Sequence, residues 1–377
     1  MKILLFQSPT ESSNKMASDF ATMVAAGLKD RAITEYADTI ASVKNTDADV
    51  VHAIGHWSAT LAKALSTAAT RHIPTLYTPL GGLEPWNFPD KTMATATKLK
   101  SVCSHISAIH ACGKLEKDNI LKTNLNKRVQ VIGNPIVTSR ISYLSMTEKL
   151  LLFYQKIIDS NAFARIDSAT LKFICQALRA STDTIALKDK AFRQEVDETA
   201  KKYARIDWRY IFLYANAEHF LADLKEGLTK LKIDFPQIDV NAIDCFDAER
   251  NYIDDSLNCK ELISKSLIVR KKIEEWDGEG KELDLARALL NMQHEINNRR
   301  LPFSHLLDFY RYALLSDYDE DKFVTIIDDL KITEFTQRIF AILADLFDLP
   351  EGFQPIEPID DKKTRTIKRK IAKIVRE

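Results

Sequence analysis

Apolar positions in the first 140 residues fall into short blocks, separated by segments whose apolar residues recur at helical spacing. The blocks are rich in β-branched and aromatic residues and are bounded by glycine, proline and polar residues, which is typical of buried strands. We predict strands at residues 2–7, 32–36, 49–54, 74–78, 107–111 and 128–133. We predict helices between them at residues 13–29, 57–71, 91–102 and 114–124. This alternation predicts a doubly wound α/β domain with a mostly parallel sheet.

Beyond residues 138–147 the pattern changes, and apolar residues recur almost everywhere at three- and four-residue spacing. Only Pro236 and Pro302 interrupt the chain between Ile136 and Leu349. We predict helices at residues 148–160, 168–180, 184–203, 208–232, 239–253, 258–276, 281–297, 304–316, 319–330 and 333–347. The predicted organisation is an α/β domain at 1–143, an all-α domain at 144–350, and a proline-bearing linker with a basic terminal helix at 351–377.

Charge balance excludes one broad class of function. The 53 lysines and arginines equal the 53 aspartates and glutamates, whereas general nucleic-acid binding requires a basic excess. No stretch has the secretory apolar core or the roughly 18 uncharged apolar residues of a membrane helix. We therefore expect a cytoplasmic protein. The five cysteines form no CxxC pair, so we expect reduced, mostly structural thiols.

Candidate ligand-binding residues follow two of the predicted strands, where doubly wound sheets bind their ligands. Glycines there let a backbone approach a ligand closely, and tryptophan offers a flat apolar face that can stack on a sugar ring. The alternative is that the glycines and Pro85 only build a tight strand-to-helix loop. The candidates are His52, Gly55 and His56 after one strand, and Gly81, Gly82, Glu84 and Trp86 after the next.

Four segments, DADVVHAIGHWS, PTLYTPLGGLEPW, ISAIHACGKLEKDNI and RVQVIGNPIVTS, carry a family resemblance. In order and spacing they resemble the amino-terminal half of the retaining family-four glycosyltransferases of the GT-B fold. The similarity covers about residues 1–140. It implies transfer of a sugar from a nucleotide-sugar donor to a glycan or lipid-linked acceptor, without an obligatory metal or other cofactor. In that family the amino-terminal domain mainly holds the acceptor, and a second Rossmann domain holds the nucleotide.

The sequence departs from the family pattern in three places. The loop after the first strand, SPTESSNKMAS, lacks the glycines that approach the donor diphosphate, and Leu80 stands where the family motif TPHG has histidine. Leucine cannot donate a hydrogen bond, so the role of that histidine would pass to His52 or His56. Glu274 and Glu282 match the spacing of the family's donor-side glutamates, but they lie in a helical region, and we interpret that match as coincidence.

Other chemistry lacks the motifs that it requires. No HExxH, paired-cysteine or GxxxxGK[ST] motif is present, and His105 and His110 should fall on opposite sides of a strand, so we expect no zinc site or P-loop. A polar cluster around Pro302 could present guanidinium groups to a phosphate, or could be a solvated helix turn. Its members are His294, Glu295, Arg299, Arg300, His305 and Asp308.

The carboxy-terminal segment from Lys362 to Arg376 is basic and amphipathic, with Ile367, Ile371 and Ile374 on one helical face. That pattern indicates contact with an anionic membrane surface, which would place the protein peripherally at its inner face, or with an acidic partner. The alternative is that the helix packs back on its own domain with its lysines in water.

Two hypotheses for the function follow. The first is a glycosyltransferase-like protein of polysaccharide or glycoconjugate assembly, in which His52 or His56 bonds an acceptor hydroxyl, the glycines admit the sugar, Glu84 accepts hydroxyl hydrogen bonds and Trp86 stacks. The second is a non-catalytic glycan-binding or scaffold protein that works with a partner protein. The missing donor domain favours the second, and the presence of TPLGGLEPW favours a surviving ligand site.

Overall fold

The computed structural model describes two compact units, Met1–Ala164 with Asn241–Asp247 (unit 1) and Arg165–Val240 with Ala248–Glu377 (unit 2). The structure describes residues 1–9, 15–84, 93–138, 140–202, 207–246, 267–276, 280–298 and 301–371.

Unit 1 contains a parallel sheet of the six predicted strands, in the order β2-β1-β3-β4-β5-β6. The chain turns from one side of β1 to the other after β2, as in doubly wound folds, which place their ligands at such a switch point. The predicted α/β fold is confirmed at this level. The strands are β1 (Lys2–Phe6), β2 (Ile33–Ala37), β3 (Val50–Ile54), β4 (Thr75–Thr78), β5 (Ala108–Ala111) and β6 (Val129–Val131).

Helices cover both faces of this sheet, because successive strand residues point to opposite sides and both sides are apolar. Ile54 and Leu76 enter one apolar cluster, whereas Ala53 and Tyr77 enter another. Ser58, which follows the candidate loop after β3, caps the next helix by accepting a hydrogen bond from the backbone N–H of Leu61 at 3.1 Å. The helices are α1 (Lys15–Leu28), α2 (Ile40–Asn45), α3 (Ala59–Thr70), α4 (Met93–Cys103), α5 (Lys114–Lys122) and α6 (Tyr143–Asp159).

The first unit extends beyond residue 143, where the sequence analysis ended the α/β domain. Helix α6 packs against α1 and buries Met146, Leu150, Phe153 and Tyr154 in the same apolar cluster as β1 and β3. A later segment, Asn241–Asp247, also belongs to this unit. Its Phe246 packs edge-on against Phe153. The helical periodicity of α6 was read correctly, but periodicity does not indicate which domain a helix packs on.

All regular secondary structure in the described residues of unit 2 is helical. Its long helices are α7 (Ser168–Thr182), α8 (Lys190–Lys202), α9 (Trp208–Ala217), α10 (Leu221–Lys230), α11 (Leu267–Glu275), α12 (Lys281–Asn298), α13 (Phe303–Leu315), α14 (Glu320–Asp329), α15 (Thr333–Phe347) and α16 (Lys362–Lys370). Short 3-10 turns lie at Ala186–Lys188 and Glu351–Phe353. The predicted helical character of this region is confirmed, and the sequence analysis placed most of these helices within a few residues. The helix predicted at 239–253 is an exception, because its described part has only a 3-10 turn at Val240–Ala242, followed by irregular chain to residue 246.

One predicted helix, at residues 208–232, is divided in the structure. His219 adopts a left-handed conformation with φ of 62°, which ends α9, and the fully buried Phe220 precedes α10. The adjacent Glu218 carboxylate accepts a hydrogen bond from the backbone N–H of Phe303 at 3.1 Å and so satisfies the first turn of α13. A tertiary contact therefore coincides with the break, which the continuous apolar pattern did not reveal.

Candidate functional site

The carboxyl ends of the parallel strands share one edge of the unit 1 sheet, and most predicted site residues lie in the loops at that edge. Gly55 and His56 follow β3, and the segment from Leu80 to Glu84 follows β4. Trp86 lies outside the described residues, so its predicted stacking role stays a prediction. These loops emerge together because parallel strands fix where their following loops begin, and the assignment of a ligand site to this edge stays a prediction.

The loop after β4 is built from two consecutive turns. The backbone N–H of Gly82 donates to the carbonyl of Pro79 at 2.8 Å, and that of Glu84 donates to the carbonyl of Gly81 at 3.0 Å. Leu80 and Gly81 both have positive φ, at 49° and 83°. The Leu80 side chain joins the apolar cluster that also contains Ile54 and Leu76. The position where the family motif has histidine therefore contributes to the core here.

Gly82 lies directly against His56. A Cβ atom at Gly82 would be 2.8 Å from the His56 Cα and 2.9 Å from the Pro79 carbonyl oxygen, which is closer than such atoms approach. Gly55 has φ of 118°, a conformation that side-chain-bearing residues rarely adopt. Glycine at these two positions thus lets the loops after β3 and β4 touch through their backbones, with the partly exposed His56 at the junction.

Glu116, which the sequence analysis did not select, connects two of these loops. Its carboxylate accepts hydrogen bonds from the backbone N–H of Gly81 and from that of Cys112, both at 2.7 Å. Burial raises the pKa of Glu116, while the two backbone hydrogen bonds oppose the rise. The charge of Glu84 raises the pKa of Glu116 further, and that of His56 lowers it.

A sequence signal for Glu116 exists in the start of helix α5. Gly113 is the N-cap of that helix, and Glu116 occupies its third position. Glutamate at that position commonly reaches back to backbone N–H groups at the start of the same helix, as Glu116 does to Cys112. The second bond, to Gly81, joins residues 35 positions apart, and no local pattern predicts it.

Glu84 is also held from α5. The side-chain amide of Asn119 donates a hydrogen bond to its carboxylate, and only 6% of Glu84 is exposed. The sequence analysis gave Glu84 direct contacts with sugar hydroxyls. Its burial and its bond to Asn119 instead place it mainly in the support of the loop after β4.

His52 lies in the interior of unit 1 and has no exposed surface. Its Nδ1 atom is 2.6 Å from the Tyr154 hydroxyl, and its Nε2 atom is 2.6 Å from Thr78 Oγ1. Thr78 Oγ1 is in turn 2.9 Å from His110 Nδ1, and His110 Nε2 is 2.8 Å from the Ile132 carbonyl oxygen. We call these five residues the buried histidine chain. The enclosure corrects the predicted contact of His52 with an acceptor hydroxyl.

The Ile132 carbonyl, at one end of the buried histidine chain, determines which group donates and which accepts in each hydrogen bond of the chain. The Ile132 carbonyl can only accept, so His110 carries its proton on Nε2 and accepts at Nδ1 from the Thr78 hydroxyl. Thr78 then accepts from His52 Nε2–H, and His52 Nδ1 accepts from Tyr154. Burial lowers the pKa of His110 to about 4, and burial together with the nearby His110 lowers that of His52. Both rings are therefore neutral at pH 7.

The predicted polar features of unit 2 are mostly structural. Glu282 accepts a hydrogen bond from the backbone N–H of Asp319 at 3.0 Å and pairs with Lys322. Glu295 and His305 are each 4% exposed, whereas residues 299–300 lie outside the described part of the chain.

The described part of the basic terminal segment packs on unit 2. The Asp361 carboxylate caps α16 and pairs with the Arg338 guanidinium on α15, which lowers the pKa of Asp361. Thr364 and Ile371 are buried, and Lys368 pairs with Asp345. These contacts match the alternative in which the helix docks on its own domain. The predicted contact with a membrane surface or partner stays a prediction, and residues 372–377 lie outside the described range.

Among the described side chains, no three His, Cys, Asp or Glu residues converge where they could hold a metal ion. Within the same residues, no helix is both long enough and apolar enough to cross a membrane. The chain matches no protein-family model, and neither a curated protein nor a solved structure matches it.

Proposed function

We propose that the carboxyl edge of the unit 1 sheet binds a sugar-containing ligand in the assembly of a polysaccharide or other glycoconjugate. One observation carries the proposal: His56 lies against Gly82, and the buried Glu116 carboxylate accepts a hydrogen bond from the backbone of the neighbouring Gly81. Imidazole, carboxylate and amide groups supply the donors and acceptors that sugar hydroxyls need. The resemblance to the acceptor-binding half of family-four glycosyltransferases supports a sugar over other polar ligands.

Each residue has a distinct role in this proposal. His56 bonds a hydroxyl of the acceptor, and Gly55, Gly81 and Gly82 let the ligand reach the backbone. Glu116 and Glu84 hold the loop after β4 in place through their bonds to backbone and to Asn119. Trp86 would stack on the sugar ring, as the sequence predicts. His52 supports the site from the interior through the buried histidine chain.

A non-catalytic glycan-binding or scaffold protein is the second candidate function. Sugar transfer requires donor and acceptor to be held together in near-attack geometry, which GT-B enzymes achieve with a second Rossmann domain. In the described residues of unit 2 all regular structure is helical, and no second sheet is found there. This observation favours retention of the acceptor-binding half over complete transfer activity.

The test combines a ligand screen with one variant. A thermal-shift screen with UDP-glucose, UDP-N-acetylglucosamine, GDP-mannose, UDP, maltose and chitobiose should give a concentration-dependent rise with at least one sugar, because a ligand that binds only the folded state raises its stability. His56→Ala should weaken that binding about tenfold or more by calorimetry, without changing the melting temperature of the free protein.

His105→Ala is the matched control, because His105 is exposed at the far end of α4 and should leave binding unchanged. Gly82→Ala should also weaken binding, since the added Cβ would displace His56. A rise with a nucleotide sugar would favour transfer, and a rise with maltose or chitobiose alone would favour the non-catalytic function. If no compound of the panel raises the melting temperature of a folded, monodisperse protein, that result would contradict sugar binding.

A further inference from the structure

A cavity of about 440 Å³ lies within unit 2, where one face of α7 meets α8, the end of α15 and the terminal helix α16. Helix α7 contributes residues at three- and four-residue spacing, so a single stripe of the helix forms one wall. That stripe is Ser168, Leu171, Lys172, Cys175, Gln176 and Arg179. The volume is that of a site for a small organic molecule.

Charged side chains around the cavity form three ion pairs. Lys172 of α7 pairs with Glu195 of α8 at 2.6 Å, Arg179 pairs with Asp348, and Lys368 of α16 pairs with Asp345 of α15. Three cations thus face three carboxylates, and the lining has no net charge. A nucleotide or other polyanion requires a basic excess, so this lining argues against that class of ligand.

The floor of the cavity is apolar except for one amide. Leu171, Cys175 and Phe192 are each at most 5% exposed, and the Arg179 guanidinium lies 4.9 Å from the centre of the Phe192 ring. Gln176 is 8% exposed, and its Oε1 atom is buried and receives no hydrogen bond from any described residue. A buried acceptor without a donor is costly, unless a ligand or water supplies the donor.

We propose that this cavity binds a small zwitterion with an apolar side chain, which is the chemistry of a free amino acid or a dipeptide. The apolar side chain lies on Leu171 and Phe192. The ligand carboxylate pairs with the lining cations, and the ligand ammonium pairs with the lining carboxylates and donates a hydrogen bond to the Gln176 amide oxygen.

The ion pairs around the cavity can exchange partners at low cost. In each pair one member is well exposed, at 49% for Glu195, 59% for Asp345 and 83% for Asp348. Exposed pairs of this kind each contribute only about 0–1 kcal/mol to stability. A ligand that carries both charges can therefore replace a protein partner on each side and leaves no charge unpaired.

Calorimetric titration with L-leucine and with L-leucyl-L-leucine tests the proposal and distinguishes a free amino acid from a dipeptide as the ligand. The matched analogues are 4-methylpentanoate, which lacks the ammonium group, and isopentylamine, which lacks the carboxylate. We expect at least one zwitterion to bind about tenfold or more tightly than either analogue. Tighter binding of leucine would indicate an amino acid, and tighter binding of leucyl-leucine a dipeptide. Equal binding of zwitterions and single-charge analogues, or no binding of either zwitterion, would overturn the proposal.

Two variants test the site independently of the ligand panel. Gln176→Leu removes the orphan acceptor and keeps the side-chain volume, so the folded state should be as stable as before or more stable. The zwitterion should nevertheless bind about tenfold more weakly to it. Glu195→Gln should also weaken binding, whereas Glu198→Gln, one turn away on the same helix and outside the cavity, should not. Unchanged affinity in Gln176→Leu would remove that amide from the site and contradict the proposal.

Discussion

The polar side chains of the buried histidine chain in unit 1 and those of the cavity in unit 2 differ in burial, in charge and in hydrogen bonding. In the first, every polar side chain is neutral, enclosed and bonded to the next, from Tyr154 to the Ile132 carbonyl. In the second, charged side chains pair at the surface around an apolar floor with one unbonded amide oxygen. The comparison separates polar residues that specify a structure from polar residues that are available to a ligand.

The physical reason is the solvent. A buried polar group that loses its partner cannot turn to water, so each bond in the chain depends on the others. An exposed ion pair loses little when one partner leaves, because water screens the remaining charge.

Replacing Thr78 by valine should cost about 3 kcal/mol of unfolding free energy, because it leaves His52 Nε2–H without an acceptor and His110 Nδ1 without a donor. Denaturant unfolding measures the difference. Thr70→Val is the control, since the exposed Thr70 hydroxyl donates to the Ser66 carbonyl within its own helix. Equal costs for the two variants would contradict a cooperative chain.

Acidification should destabilise unit 1 through the same chain. The pKa of His110 is lowered to about 4 in the folded state, so the unfolded chain, with a pKa near 6.5, binds protons first as the pH falls. The stability that is present above pH 6.5 is therefore lost progressively down to pH 4 and is restored on return to neutral pH. Between pH 6.5 and pH 5 the loss from His110 alone should be about 2 kcal/mol.

The His110→Gln variant isolates that effect, because glutamine keeps one donor and one acceptor but does not titrate. The difference in unfolding free energy between pH 6.5 and pH 5 should be smaller in the variant by about 2 kcal/mol. Identical pH dependence in the two proteins would show that His110 is not neutral and buried as described.

Removal of the Glu116 carboxylate should have an intermediate effect. Glu116→Ala leaves the backbone N–H groups of Gly81 and Cys112 without their acceptor, which should cost about 2 kcal/mol of unfolding free energy. Glu148→Ala is the matched control, because Glu148 is exposed and its ion pair is with the exposed Arg31. If both variants lose less than about 0.5 kcal/mol, Glu116 does not hold the loop.

The ion pairs of the unit 2 cavity should show the smallest effect. Lys172→Gln and Glu195→Gln should each change the unfolding free energy by less than about 0.5 kcal/mol, since the partners are 62% and 49% exposed. A double-mutant cycle measures their coupling. A coupling energy above about 1 kcal/mol would indicate that the pair stabilises the fold. The ion pairs of unit 2 would then resemble the hydrogen bonds of unit 1 in their contribution to stability.

The features that the sequence predicted depend on residues close together in the chain, and those that it missed depend on contacts between distant residues. Strand periodicity predicted all six strands of the sheet, and parallel strands then determined where the loops with His56, Gly81 and Gly82 emerge. Glu116 and Tyr154 were not selected, because their partners lie 35 and 102 residues away in the chain. The boundary predicted after residue 143 differs from the extent of unit 1 for the same reason, since α6 is helical by its own pattern but packs within unit 1.

His52 illustrates the limit most directly. Its residue type and its place at the end of a predicted strand indicated a ligand contact, and the same observations fit a core histidine. The choice depends on whether Tyr154 and Thr78 enclose the ring. The amino-acid sequence by itself determined where most strands and helices form, because these follow the local periodicity of apolar residues. It also marked the loops after β3 and β4, because glycine occurs there. Only the tertiary structure decided which polar side chains are enclosed and which face a cavity, because burial arises from contacts between residues distant in the chain.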